Sequence, residues 1–223
     1  MEPTSNLSSA SGGALFAVSA VLMQPVESQT LILYHTDLRG QWPHSAAAFA
    51  ERLPYRRRLE LRAGRTDEHA SLAGIALALR ALSELLGRSV SAGELVFVPG
   101  EKPRLVAAAP RGPDFSISHS PPWVGCAALP GGRVGFDIES GTDARSAEWV
   151  VREAALKATG EGLRALRAAR ALTVNGATIP WRGALWHVQR LTVFADASAC
   201  IVSSVPVGAI EPRSIALEAL FAP

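Results

Sequence analysis

Two rhythms of apolar and polar positions run along the chain, and each predicts its own kind of element. In "DEHASLAGIALALRALSELLG" the apolar residues Leu72, Ile75, Ala76, Leu79, Leu82 and Leu86 recur at helical spacing, and Gly87 is a natural stop. This helix is expected to be the central packing element of the first half. A second helix is predicted in "RSAEWVVREAALKATG". There Val150, Val151, Ala154, Ala155 and Ala158 make an apolar face, Ser146 is the expected N-cap and Gly160 the terminator. Runs with strand character are "ALFAVSAVLM" and "TLILY" near the start, then "ELVFV", "FSIS", "WVGCAAL" and "RVGFDI". The turn "LPGG" separates the last two. Residues 171–207 alternate as an antiparallel meander would, and "SIALEAL" closes the chain as a strand or a short helix.

The order is strands, helix, strands, then strand, helix, strands. It predicts an α+β fold of two halves with similar layout, joined near Arg133. The expected division is a polar, Gly/Ser-rich tail over 1–13, a first half over 14–133 and a second half over 134–223. Composition adds little to this picture. With 48% hydrophobic and 19% charged residues there is ample material for a core. A net charge of +2 leaves no electrostatic footprint for nucleic acid. "ALFAVSAVLM" is short and has no basic residue ahead of it, so it reads as a strand rather than a signal peptide or membrane span. A cytoplasmic protein with no membrane or nucleic-acid partner is expected. Cys126 and Cys200 both sit in apolar, strand-like runs. A disulfide between them is possible on paper, and two buried thiols in a reducing compartment are the expectation.

The candidate chemistry gathers around the second helix. Asp137 and Glu139 lie two apart, which puts both side chains on one face of a strand. Trp149, Glu153 and Lys157 recur every four residues along the edge of the helix's apolar face. If that helix packs back on the strand, three carboxylates converge. Their mutual repulsion calls for a hard divalent cation, and magnesium is usually completed by substrate phosphates. Lys157 can then meet a phosphate oxygen as a point charge. Upstream, Ser118, His119 and Ser120 end a strand as a phosphate-binding patch, and Lys102 stands in a Pro-fixed turn. Each feature also has a plainer reading. An Asp-x-Glu strand end is commonly solvated, Glu153 and Lys157 make an ordinary surface pair, and Lys102 suits a solvated turn. Trp181, Trp186 and His187 are expected to fill a core edge.

Four motifs in register, "KP", "FSISHS", "VGFDIE" and "W..REAALKATGEGL", resemble those of the 4′-phosphopantetheinyl transferases of the Sfp type. The resemblance covers roughly residues 66–162. It implies two similar α/β halves related by pseudo-two-fold symmetry, with coenzyme A in the cleft between them. It implies transfer of the phosphopantetheine arm of coenzyme A to a serine of an apo acyl or peptidyl carrier protein, releasing adenosine 3′,5′-bisphosphate. Asp137, Glu139 and Glu153 would hold magnesium against the diphosphate, and Glu153 would help deprotonate the carrier serine. Lys157 would steady the diphosphate and leaving group. His119, with Ser118, would contact phosphates, and Lys102 would lie by the adenosine end. Arg58 belongs to a basic segment expected near coenzyme A, and the enzyme is expected to be a monomer.

The chain departs from the family pattern at three places. Ala70 stands where an Arg commonly meets the 3′-phosphate, and Arg65 is the expected substitute. Glu101 replaces a Gly before Lys102. The loop "SGTDARSAE" is short where relatives carry an insertion that helps receive the carrier. These departures leave open a degenerate relative that binds coenzyme A or a carrier protein without efficient turnover. The residues alone also leave open a protein-binding module whose acidic cluster is a solvated face.

Overall fold

The structure, a computed structural model, describes residues 28–54, 57–58, 67–106 and 112–222. The expected tail over 1–13 and the strand read in "ALFAVSAVLM" lie outside the described residues. The fold is mixed α+β, and two four-stranded sheets carry it. The first sheet contains β1 (Gln29–Asp37), β4 (Asp114–Ser120), β5 (Trp123–Leu129) and β10 (Val207–Ser214), in the order β10-β1-β5-β4. The second contains β6 (Val134–Ser140), β7 (Thr178–Trp181), β8 (Ala184–Leu191) and β9 (Ala197–Ser203), in the order β6-β9-β8-β7, with every pair antiparallel. The expected meander is therefore β7-β8-β9. "ELVFV" shortens to β2 (Leu95–Val96), which pairs only with β3 (Arg104–Leu105).

Period-two alternation decides which core each strand residue feeds. Ile32, Phe115, Val124, Cys126 and Ala128 meet the long helix α2 (Glu68–Leu86), whose Leu72, Ile75, Leu77 and Leu82 are almost fully buried. Leu31, Leu33, Ala127 and Leu129 point the other way, onto Val134, Phe136, Ile138 and Ile201 of the second sheet. The outer face of that sheet, with Cys200 and Val202, is covered by Val150, Val151, Ala154, Ala155 and Ala158 of α3 (Ala144–Thr159). The layers run helix, sheet, sheet, helix. Cys126 and Cys200 lie in different cores and both are free, which matches the buried-thiol expectation. The helix α2 is long and apolar enough to cross a membrane, but its apolar positions are packed into the first core.

The sequence-based boundary at residue 134 does not hold to the C-terminus. β10 leaves the second half and pairs in parallel with β1, from Gln29 opposite Val207 to His35 opposite Ser214. The last helix, α5 (Leu217–Leu220), sends Leu217, Leu220 and the following Phe221 into the α2 core. The final segment thus completes the first sheet and its core. "SIALEAL" is a short helix rather than a strand.

The two sheets also meet along their edge strands, β4 and β6, and they do so through side chains. The backbone N–H groups of Val134, Phe136, Ile138 and Ser140 donate to Asp114 Oδ2 (2.8 Å), Ser116 Oγ (3.0 Å), Ser118 Oγ (3.3 Å) and Ser120 Oγ (2.9 Å). Alternate residues of one strand answer alternate amides of the other, so otherwise orphaned donors of a buried edge are satisfied. Lys102 reinforces this junction by donating to Asp114 Oδ2 (2.5 Å) and to the Val134 carbonyl (2.8 Å).

Helix α3 begins one turn earlier than the sequence suggests. Asp143, not Ser146, is the N-cap, because its carboxylate accepts from the Ser146 N–H at 2.9 Å while Ser146 is already helical. Gly160 ends the helix in the left-handed region (φ 75°). Where α3 crosses β6 it rests on Gly135. A Cβ there would lie 1.8 Å from the Ala154 carbonyl oxygen and 2.4 Å from the Ala158 nitrogen. The missing side chain lets the helix backbone sit directly on the strand.

Candidate functional site

That close approach brings the acidic strand and the charged edge of the helix together. One carboxylate oxygen each from Asp137, Glu139 and Glu153 lies within 4.8 Å of the others. Asp137 is the buried member, at 2% exposure. Its Oδ1 accepts from Ser118 Oγ (2.8 Å) and from Lys157 Nζ (2.6 Å). Its Oδ2 is buried and has no hydrogen-bond partner among the described residues. An unsatisfied carboxylate oxygen in such a place is expensive. A hard cation would relieve it, and the all-oxygen donor set suits magnesium or calcium.

The neighbouring carboxylates feel this crowding. Burial raises the pKa of Glu153, the Asp137 charge raises it further, and Lys157 opposes both. Burial likewise raises the pKa of Glu139, with Asp137 adding to it, while a hydrogen bond from Trp149 and the charge of Lys157 pull it back. Trp149 acts on Glu153 in the same direction. Trp149 thus lies close to both carboxylates. Its four-residue spacing from Glu153 was the signal for it, although sequence reasoning gave it no role.

Lys157 is 27% exposed, and two of its three donors are committed, to Asp137 and to Ser118 Oγ at 2.9 Å. One remains for a ligand. Ser118 differs from expectation. It is 5% exposed, donates to Asp137 and accepts from Lys157 and the Ile138 N–H. A hydroxyl has one donor and two lone pairs, so Ser118 is fully used inside the protein and has nothing left for a phosphate. His119, next in the strand, points to the opposite face and is exposed. Surrounding groups still lower its pKa, first by desolvation and then through the charge of Lys157, while Asp67 and Asp137 work against this.

No family model matches the chain, and no curated protein matches it.

Beside the carboxylates opens a cavity of about 250 Å³ lined by Gly100, Lys102, Pro103, Ile117, Leu156 and Gly160, with Glu101, Glu153, Lys157 and Gly162 at its wall. Lys102 lines it, but its Nζ is held by Asp114 and Val134, and burial lowers its pKa against the opposing pull of Asp114. Its partner is thus Asp114, a residue sequence reasoning overlooked. Arg58 pairs with Glu51 at 2.6 Å, beside the short helix α1 (Ser45–Glu51). Arg65 lies outside the described residues. Ala70 is fully buried in the α2 core, so an Arg at this position would put a cation into apolar surroundings. Of the segment "IPWRGALWHVQR", Trp186 is buried and Trp181 packs beside it, as expected of a core edge.

Proposed function

We propose that the chain is a magnesium-dependent 4′-phosphopantetheinyl transferase acting on an apo acyl or peptidyl carrier protein. The observation that carries this reading is the convergence of Asp137, Glu139 and Glu153 around a buried oxygen with no partner, with Lys157 alongside. The motif order of the sequence supplies the substrate class. A pseudo-two-fold fold of the same family is part of the reading. In support, β1 leads to α2 and ends antiparallel to β5, while β6 leads to α3 and ends antiparallel to β9.

Bound magnesium would draw charge from the diphosphate of coenzyme A. The protein's own residues would do the rest. The serine oxygen of the carrier bonds to the phosphorus bearing the pantetheine arm, and the bond from that phosphorus to the bridging oxygen breaks. Glu153, at the wall of the cavity, accepts the serine proton. Lys157 offers its remaining donor to the diphosphate and to the departing adenosine 3′,5′-bisphosphate. His119, exposed at the end of β4, is available to a phosphate oxygen. Reactions of this type need placement and charge stabilisation more than covalent help.

The test is incubation with coenzyme A, magnesium and a panel of apo carrier proteins, read by mass spectrometry. One carrier or more is expected to gain a single phosphopantetheine arm. Glu153→Gln should lower the rate by at least ~100-fold with an unchanged circular dichroism spectrum. A panel left unaltered in mass, or full turnover by the variant, would overturn the proposal.

A further inference from the structure

We propose that Ser118 is a positioning residue of the cation site: it aims Asp137 and Lys157 and touches no substrate. The inference rests on the reading of the acidic cluster as a divalent-cation site. Three observations carry it. Ser118 has no hydrogen-bonding capacity to spare, since its hydroxyl is divided among Asp137 Oδ1, Lys157 Nζ and the Ile138 N–H. It is the one contact among those described that grips both members of the Lys157–Asp137 pair from a third element. By fixing Oδ1, it also fixes the plane of the carboxylate and hence where the unpartnered Oδ2 points.

The strands add a reason for this role. β4 and β6 belong to different sheets and share no main-chain ladder. Their relative register is set by the side-chain oxygens of Asp114, Ser116, Ser118 and Ser120. Ser118 is the member of that row which also reaches the site. It therefore links the register of the two sheets to the aim of the buried carboxylate. Partners of this kind commonly change metal affinity by about 10- to 100-fold when removed.

The test uses manganese(II), followed by the paramagnetic signal of the free ion and by calorimetry, on the full chain. Ser118→Ala is expected to weaken manganese binding about tenfold. Ser116→Ala removes a matching bond, to the Phe136 N–H at 3.0 Å, from the same junction. It should cost similar thermal stability and leave the affinity unchanged. Ser118→Thr keeps the hydroxyl and should restore binding, whereas Ser118→Cys keeps the size with only a weak donor and should not. Undiminished affinity in Ser118→Ala overturns the inference, as does an equal loss in Ser116→Ala. A wild-type chain that binds no manganese overturns the cation site itself, so the two failures are told apart by which protein shows them.

Discussion

Glu139 carries a carboxyl group that the fold makes reluctant to ionise, through burial first and the Asp137 charge second. The sign of its effect on stability follows. Between the ordinary glutamate pKa and the raised folded value, the folded chain binds more protons than the unfolded one. Stability therefore falls as pH rises through that window and stays lower above it. In the metal-free protein, Glu139→Gln should raise stability at neutral pH, read as a higher Tm, and the gain should vanish below the window. Melting curves in chelator between about pH 4 and pH 8 check this. Excess magnesium should reverse the order, since it stabilises only the chain that binds it. At this scale the sequence was partly legible. Asp137, Glu139, Glu153 and Lys157 fall together because i,i+2 on a strand and i,i+4 on a helix are local geometry. Ser118 and His119 were read as one patch, yet adjacent strand residues face opposite ways. The period of Asp114, Ser116, Ser118 and Ser120 held the clue that Ser118 turns inward.

Between elements, the decisive contact is α3 lying on β6 at Gly135. The atoms a Cβ would strike are backbone, so neither a rotamer change nor a small side-chain shift can make room. Gly135→Ala should therefore lift the helix from the strand and destabilise the protein by ~3 kcal/mol. It should also weaken divalent-cation binding, because Glu153 rides on the displaced helix. Urea unfolding and manganese titration measure the two effects, and an unshifted urea midpoint would refute the close contact. Both long helices were visible in the sequence, since their apolar stripes and terminal glycines are local signals. The start of α3 differs from expectation because Asp143 and Ser146 are both good caps, and only the backbone decides which lies outside the first turn.

For the molecule as a whole, the α+β class was legible, and the pairing of the final segment was not. Parallel pairing of β10 with a strand more than 170 residues earlier leaves no local trace in composition or spacing. The return is important to the first core. Phe221 is 5% exposed, with its ring 5.3 Å from Trp42 and 5.4 Å from Phe49. Phe221→Ala should cost ~4 kcal/mol in chemical denaturation, although it stands two residues from the end of the chain. A loss below about 1 kcal/mol would show that the terminus merely rests on the surface. The edge-to-edge meeting of the two sheets has a different consequence. A main-chain ladder is nearly indifferent to sequence, but this seam is written in side chains, and each of its stitches can be loosened singly while both sheets keep their own pairing. The offset between the imidazole on one side and the carboxylates on the other is thus open to gradual adjustment by point mutation, with neither half having to refold.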